Sequence, residues 1–173
     1  MIPELHRPLP AARVTEAGQV FPVEATAAEC AALAARMGLV ALRALSCSFR
    51  LRRLAGGAEG RAGLVIEAHG RLRAEVVQTC VISLDPFPAV VEEDFTVRFV
   101  PSGDCPADDD LAGFDPEAVD EIPIAGGVLD LGEAAAEQLA LALDPYPRKP
   151  GAALPDEPEP PESGHPFASL RRH

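Results

Sequence analysis

Lysine is almost missing from this chain: Lys149 stands alone beside fourteen arginines. That skew reads as a GC-rich coding bias and carries no functional signal. Apolar runs are short, and none approaches the 18 or more residues that a membrane-spanning helix needs. The opening Met1-Ile2-Pro3-Glu4-Leu5-His6 has an early acid and a proline where a signal peptide would carry a basic start and an apolar run. A cytoplasmic protein that contacts no membrane is expected. Cys30, Cys47, Cys80 and Cys105 are widely spaced and form no C-x-x-C pair, which predicts free, packed thiols rather than a disulfide framework. With no histidine at ligand spacing, the pattern of a zinc knuckle is missing too. Asp108-Asp109-Asp110 opens a stretch resembling a calcium loop, but Ala112 and Val119 fall in two of its ligand slots, so a solvated acidic loop is the better reading.

Catalytic signatures are equally scarce. There is no G-x-S-x-G elbow, no H-E-x-x-H, no phosphate-cradling G-x-x-x-x-G-K-[ST] and no G-x-G-x-x-G. Ala125-Gly126-Gly127-Val128 reads as a turn. His69 borders a strand break, and His6, His165 and His173 lie near the chain ends, where a preorganised site is not expected. Phe49, Phe95 and Phe99 fall on inward strand phases, which leaves no stacking platform of the RNA-reading kind. No catalytic residue, metal or cofactor is expected.

Apolar residues supply 47% of 173 positions, enough for the core of one domain. The net charge of −12 argues against DNA or RNA binding by overall field. The charge is nevertheless unevenly spread. Residues 43–73 hold seven arginines and two glutamates, whereas 104–144 hold twelve acids and no lysine or arginine.

Thr26 and Glu29 form a T-x-x-E capping box for a helix over 26–37, and Gly38 sits at its C′ position. Cys30, Leu33, Ala34 and Met37 make its inward stripe. After Gly38 the apolar period becomes two. Cys47, Phe49 and Leu51 alternate with polar residues over 46–52, and 61–68 points Ala62, Leu64, Ile66 and Ala68 inward with Arg61, Val65 and Glu67 outward. Leu72, Ala74, Val76, Cys80 and Ile82 form the inward set of 71–82. Gly70 is expected to be a bulge within one long bent strand rather than a tight reversal. Asp85-Pro86-Phe87-Pro88 reads as a turn before a strand over 89–100, and 119–124 as a short edge strand that tolerates Pro123. A second helix starts at Asp130 and ends before Pro145. Its Leu141 lies about 160° from Leu139, at roughly 100° per residue, so the helix is expected to be sandwiched between two surfaces. Eight prolines between 145 and 166, mixed with acids, predict an extended linker. The expected fold is α+β: a twisted antiparallel sheet, open or partly closed into a barrel, with two main helices packed on it and a Pro-rich C-terminal tail.

Three segments carry a resemblance. Thr79-Cys80-Val81-Ile82-Ser83-Leu84 follows a long strand, and Arg98-Phe99-Val100-Pro101 ends the next. Then Leu129-Asp130-Leu131-Gly132-Glu133 leads to Glu137-Gln138-Leu139-Ala140-Leu141-Ala142-Leu143-Asp144-Pro145-Tyr146-Pro147. This combination resembles the YceD-like family of large ribosomal RNA subunit accumulation proteins, in an alphaproteobacterial version, over most of 1–150. Cys80, Asp130, Leu131, Glu133, Glu137, Leu139, Leu141 and Pro145 are the motif positions. Many relatives carry C-x-x-C at Cys80 and a further cysteine pair after the helix; here Ser83 replaces the second cysteine and 146–151 contains none, so no structural zinc is expected. The expected organisation is a domain over 1–146, a linker over 147–164 and a docking peptide over 165–173 with Phe167 and Leu170 as anchors.

The resemblance implies a non-catalytic role in accumulation of 23S ribosomal RNA and assembly of the large subunit. A basic ribosomal protein or assembly factor is the first expected partner, met through the acidic 104–144. RNA is the second, met through a strip of Arg50, Arg52, Arg61, Arg71 and Arg73 on one sheet face. Five arginines allow a slope of log K on log salt no steeper than about −4 to −5. Two other classes stay open: a small ligand-binding protein or enzyme with a pocket at the open end of the sheet and His69 or Cys80 reactive, and an adaptor that recruits a partner through Phe167 and Leu170.

Overall fold

The structure, a computed structural model, describes residues 3–54, 64–102 and 118–153. In chain order they form β1 (Pro8–Pro10), a 3-10 turn (Ala11–Arg13), β2 (Gln19–Glu24), α1 (Ala27–Met37), β3 (Ala41–Arg53), β4 (Ile66–Thr79), β5 (Pro86–Pro101), β6 (Asp120–Ile124), β7 (Val128–Asp130) and α2 (Leu131–Ala142). Five strands make one sheet in the order β2-β3-β4-β5-β6, and β1 pairs with β7 in a separate two-stranded ribbon. The α+β expectation holds, with two corrections. The sheet stays open rather than closing into a barrel, and it is only mostly antiparallel, because β6 runs parallel to β5. Parallel neighbours need a connection of about a dozen residues or more, and the stretch between Pro101 and Asp120 is long enough to supply one.

Local chemistry accounts for the two helices. At α1 the Thr26 hydroxyl accepts from the Glu29 N–H while the Glu29 carboxylate accepts from the Thr26 N–H, completing the capping box. Gly38 closes the helix at φ 66°, a left-handed conformation that glycine takes without a Cβ penalty. Cys30, Leu33 and Ala34 are buried against β3, as the stripe predicts. At α2 the Asp130 carboxylate caps the N-terminus through the N–H groups of Gly132 and Glu133. Leu131, Ala135 and Leu139 are buried, but Leu141 is 71% exposed, so α2 packs on one side and is not sandwiched.

The strands follow the period-two reading on their inner face. Cys47, Phe49, Leu51, Ile66, Ala68, Leu72, Ala74, Val76, Val97 and Phe99 all enter one core with the buried helix residues. Four local expectations need correcting. Gly70 is not a bulge: the pairing of β4 with β5 runs without a shift from Ile66 to Thr79, and the one irregularity lies between Leu42 and Ala44. Glycine stands there because the Phe95 ring crosses it, so that a Cβ would lie 2.1 Å from Phe95 Cζ. The same ring meets Phe49 edge-on at 5.7 Å between centroids. Val65 is buried rather than outward-exposed. Ile82 is half-buried in the turn after β4, and Pro86–Pro88 already belong to β5.

The N-terminal segment ties these layers together. Leu5 is completely buried, and its carbonyl lies so close to Gly132 that a Cβ there would approach within 2.3 Å. Arg7 forms a two-pronged pair with Glu29 of α1 at 2.7 and 2.9 Å, while its N–H donates to Asp130 at 2.9 Å. Arg36 of α1 bridges Glu4 and Glu133, both within 3.0 Å, and so joins the N-terminal segment to both helices.

Candidate interaction surface

With helices and ribbon on one face, the other face of the sheet is left to polar side chains, arranged in cross-strand rows. One row runs Arg52, Glu67, Arg98, Glu121 across β3 to β6; the next holds Arg50, His69 and Thr96. Then come Ser48, Arg71 and Asp94, followed by Glu24, Ser46, Arg73 and Glu92, and then Ala44, Glu75 and Val90. The alternation that buries Cys47, Phe49 and Leu51 therefore brings Arg50, Arg52, Arg71 and Arg73 onto one exposed face. Arg61 lies outside the described residues.

Neighbouring carboxylates hold most of these arginines. Arg71 donates to Asp94 at 2.8 Å, Arg73 to Glu75 at 2.9 Å and to Glu92 at 3.2 Å, and Arg52 to Glu67 at 3.0 Å. The Arg52 bond is the main reason that the Glu67 carboxyl sits below its ordinary range. Pairs this exposed are screened by water and salt and add little to stability. Arg50 has no carboxylate partner among the described residues. In these rows five arginines (50, 52, 71, 73, 98) face six carboxylates (24, 67, 75, 92, 94, 121), so the face is two-signed rather than basic. A shallow depression of about 450 Å³ runs along it beside Arg50, His69, Arg71 and Asp94. His69 Nδ1 lies 2.9 Å from the Thr96 hydroxyl, with Glu67 at 3.3 Å from Nε2.

Most of the motif positions serve the scaffold. Asp130 caps α2, Leu131 and Leu139 are buried, and Glu133 pairs with Arg36. Only Glu137, Leu141 and Pro145 face outward. Burial of its surroundings, and Glu133 nearby, raise the Glu137 carboxyl above its ordinary value.

Cys80 begins the turn that leads into β5. Its side chain is fully buried, which pushes the thiol up, yet hydrogen bonds from Ser83 and from the backbone of Ser83, Lys149 and Ile82 outweigh this and hold it at about 6. Val81 N–H donates to the Pro147 carbonyl at 2.9 Å, and Lys149 pairs with Asp85. The turn and the segment after α2 thus meet where the resemblance places cysteine pairs, joined here by hydrogen bonds and an ion pair. One thiolate and a serine do not make a zinc site, and no cluster of three or more metal-ligating side chains occurs among the described residues. Cys30 and Cys47 are buried free thiols, with Cys47 pushed up to about 12 by desolvation. Cys105, the Asp108–Asp110 stretch, Phe167 and Leu170 lie outside the described residues.

A second depression, missed by the period-two reading, lies at the rim of the sheet. It measures about 370 Å³ and runs between Phe87, Ala89, Val91 and Glu93 of β5 and Ala142, Asp144 and Arg148 at the end of α2. Its signal in the sequence is the change from Ala-Val-Val to Glu-Glu-Asp along 89–94.

A family model described as "Large ribosomal RNA subunit accumulation protein YceD" matches residues 68–169, from near the start of β4 through α2 and on past its end. No curated protein and no solved structure matches the chain.

Proposed function

The chain belongs to the YceD family, whose description ties it to accumulation of large-subunit ribosomal RNA, and from that premise we propose that it acts by binding a basic ribosomal protein during subunit assembly, without chemistry of its own. The observation that carries this reading is the two-signed open face. Arg52, Arg71 and Arg73 are matched by carboxylates within 2.8–3.2 Å, and the chain as a whole carries −12. A polyanion gains little from such a face, because each phosphate would have to displace a carboxylate from its arginine. A cationic protein finds acids without an ion-pair partner among the described residues at Glu93, Asp144 and Glu137. The fold supports the reading in a second way: most of the motif residues hold the scaffold together rather than converging on a reacting atom.

Direct RNA contact is the second reading, favoured by Arg50, which lacks a carboxylate partner among the described residues and stands beside His69. Sucrose-gradient profiling of cells carrying a tagged chain, and of a deletion strain, tests the proposal. Co-migration with large-subunit precursors and a deficit of large subunits in the deletion strain are expected. A normal subunit profile overturns it. A log K against log salt slope of about −4 to −5 for purified chain and ribosomal RNA would shift the contact to RNA.

A further inference from the structure

The longest strand of the sheet is only partly covered. β6 pairs with Val97–Pro101 of β5, and among the described residues no strand lies against the outer side of 86–96. An uncovered strand presents alternate N–H and C=O groups to any extended chain that reaches it. Pro86 and Pro88 lack N–H groups, which confines useful pairing to Ala89–Thr96, about 27 Å of strand at roughly 3.4 Å per residue. We infer that this edge takes up an extended segment of a basic protein as an additional strand, apolar at the end beside 89–91 and cationic at the end beside 92–94.

The chemistry of the rim selects that occupant. Beside Ala89, Val90 and Val91 an added strand meets apolar side chains on both faces, with Val90 55% exposed. Three residues further on it meets Glu92 and Asp94 on the open face and Glu93 on the groove side, next to Asp144. Glu93 has no cation partner among the described residues, so its charge is free to meet a lysine or arginine. A second copy of this chain is a poor occupant. Two-fold antiparallel pairing that uses most of 89–96 centres on Glu92 or Glu93 and sets the acids of the two copies opposite one another. Leu84, 75% exposed in the turn entering β5, and Tyr146, 71% exposed between the groove residues Asp144 and Pro147, extend the apolar end of this rim.

The inference rests on the reading that the chain works by holding a basic protein, and it specifies where and how. Fluorescence anisotropy with the full chain tests it. The probes are two labelled ten-residue peptides, each with a Val/Thr half and a lysine half, in opposite chain orders. One order is expected to bind at least tenfold tighter than the other, because strand pairing fixes direction and register whereas diffuse charge attraction does not. Backbone N-methylation of alternate residues in the tighter peptide should weaken it at least tenfold, and E93K should do so with an unchanged thermal melt. Equal affinity in both orders, no binding of either, or indifference to N-methylation overturns the inference. So does a concentration-dependent dimer that E93K abolishes, which would assign the edge to a second copy. Gradient co-migration reports on the holding role and peptide order reports on the edge, so either can fail while the other stands.

Discussion

Replacing Asp130 by alanine removes four contacts at once. Oδ1 accepts from the N–H of Gly132 at 3.1 Å, of Glu133 at 3.3 Å and of Arg7 at 2.9 Å, and Oδ2 lies 2.5 Å from His6 Nδ1. The first two are the helix cap, whose loss costs about 0.5–2 kcal/mol. The third leaves the part-buried Arg7 N–H without its acceptor, a further penalty of about 1–3 kcal/mol less what water recovers. A total of roughly 2–4 kcal/mol follows, or a fall in Tm of about 4–16 °C at 2–4 °C per kcal/mol for a chain of this length. Urea unfolding followed by circular dichroism measures it, with the midpoint expected to fall at constant m. Asp130→Asn keeps a capping oxygen and should lose less than half as much. Per folded molecule, partner binding should not change, since Asp130 works through the scaffold. A loss below about 0.5 kcal/mol for the alanine variant would refute the idea that this motif aspartate joins the N-terminal segment to α2.

Three further outcomes follow from the same geometry. Gly132→Ala forces a methyl to within 2.3 Å of the Leu5 carbonyl, which is backbone and cannot swing away; it should destabilise by about 3 kcal/mol or more in urea titration, and Gly70→Ala, which meets a movable Phe95 ring, by about 1–3 kcal/mol. The Glu29 carboxyl is held at about 2 by Arg7 first and by Thr26, below its unfolded value of 4.5, so its contribution is complete above pH 4.5 and disappears as pH falls towards 2; Glu29→Gln should flatten the acid limb of stability against pH over that interval. For Cys80, thiolate absorbance near 240 nm should titrate at about pH 6 in the folded chain, while iodoacetamide reacts slowly because the sulfur is fully buried; fast alkylation at pH 7 would show that the turn opens readily.

Which parts of this molecule a reader of the bare sequence can find depends on how local their causes are. The first helix is legible because its capping box, stripe and terminal glycine lie within thirteen residues. The inner faces of β3, β4 and β5 are legible because alternation is a nearest-neighbour property. Val65 breaks that rule at the end of a strand, where burial is decided by what lies across the sheet rather than by phase. The parallel entry of β6 depends on a connection whose direction no residue announces, and β2, interrupted by Pro22 and polar at both ends, lacks a clean period. Leu141 looks like core because helical geometry allows two apolar faces, but only one meets a partner. The strip arginines could be placed on one face from phase alone. Their neutralisation could not, since Asp94 and Glu92 come opposite Arg71 and Arg73 only through the register of β4 with β5. The roles of Asp130 and Gly132 are the least legible, because they answer to Leu5 and Arg7, more than a hundred residues away.

The pairing of β1 with β7 has a consequence for how this chain is born. Pro8–Pro10 leave the ribosome well before Val128–Asp130 and must wait for them before their ladder closes. Until then Leu5 has no α2 to lie against and Arg36 has only one of its two acids. Vectorial synthesis can build β2 to β5 as they emerge, but the strap around β1 can be buckled only after β7 and α2 have emerged. A nascent chain stalled before residue 128 would expose that strap to proteases, and release beyond α2 would bury it.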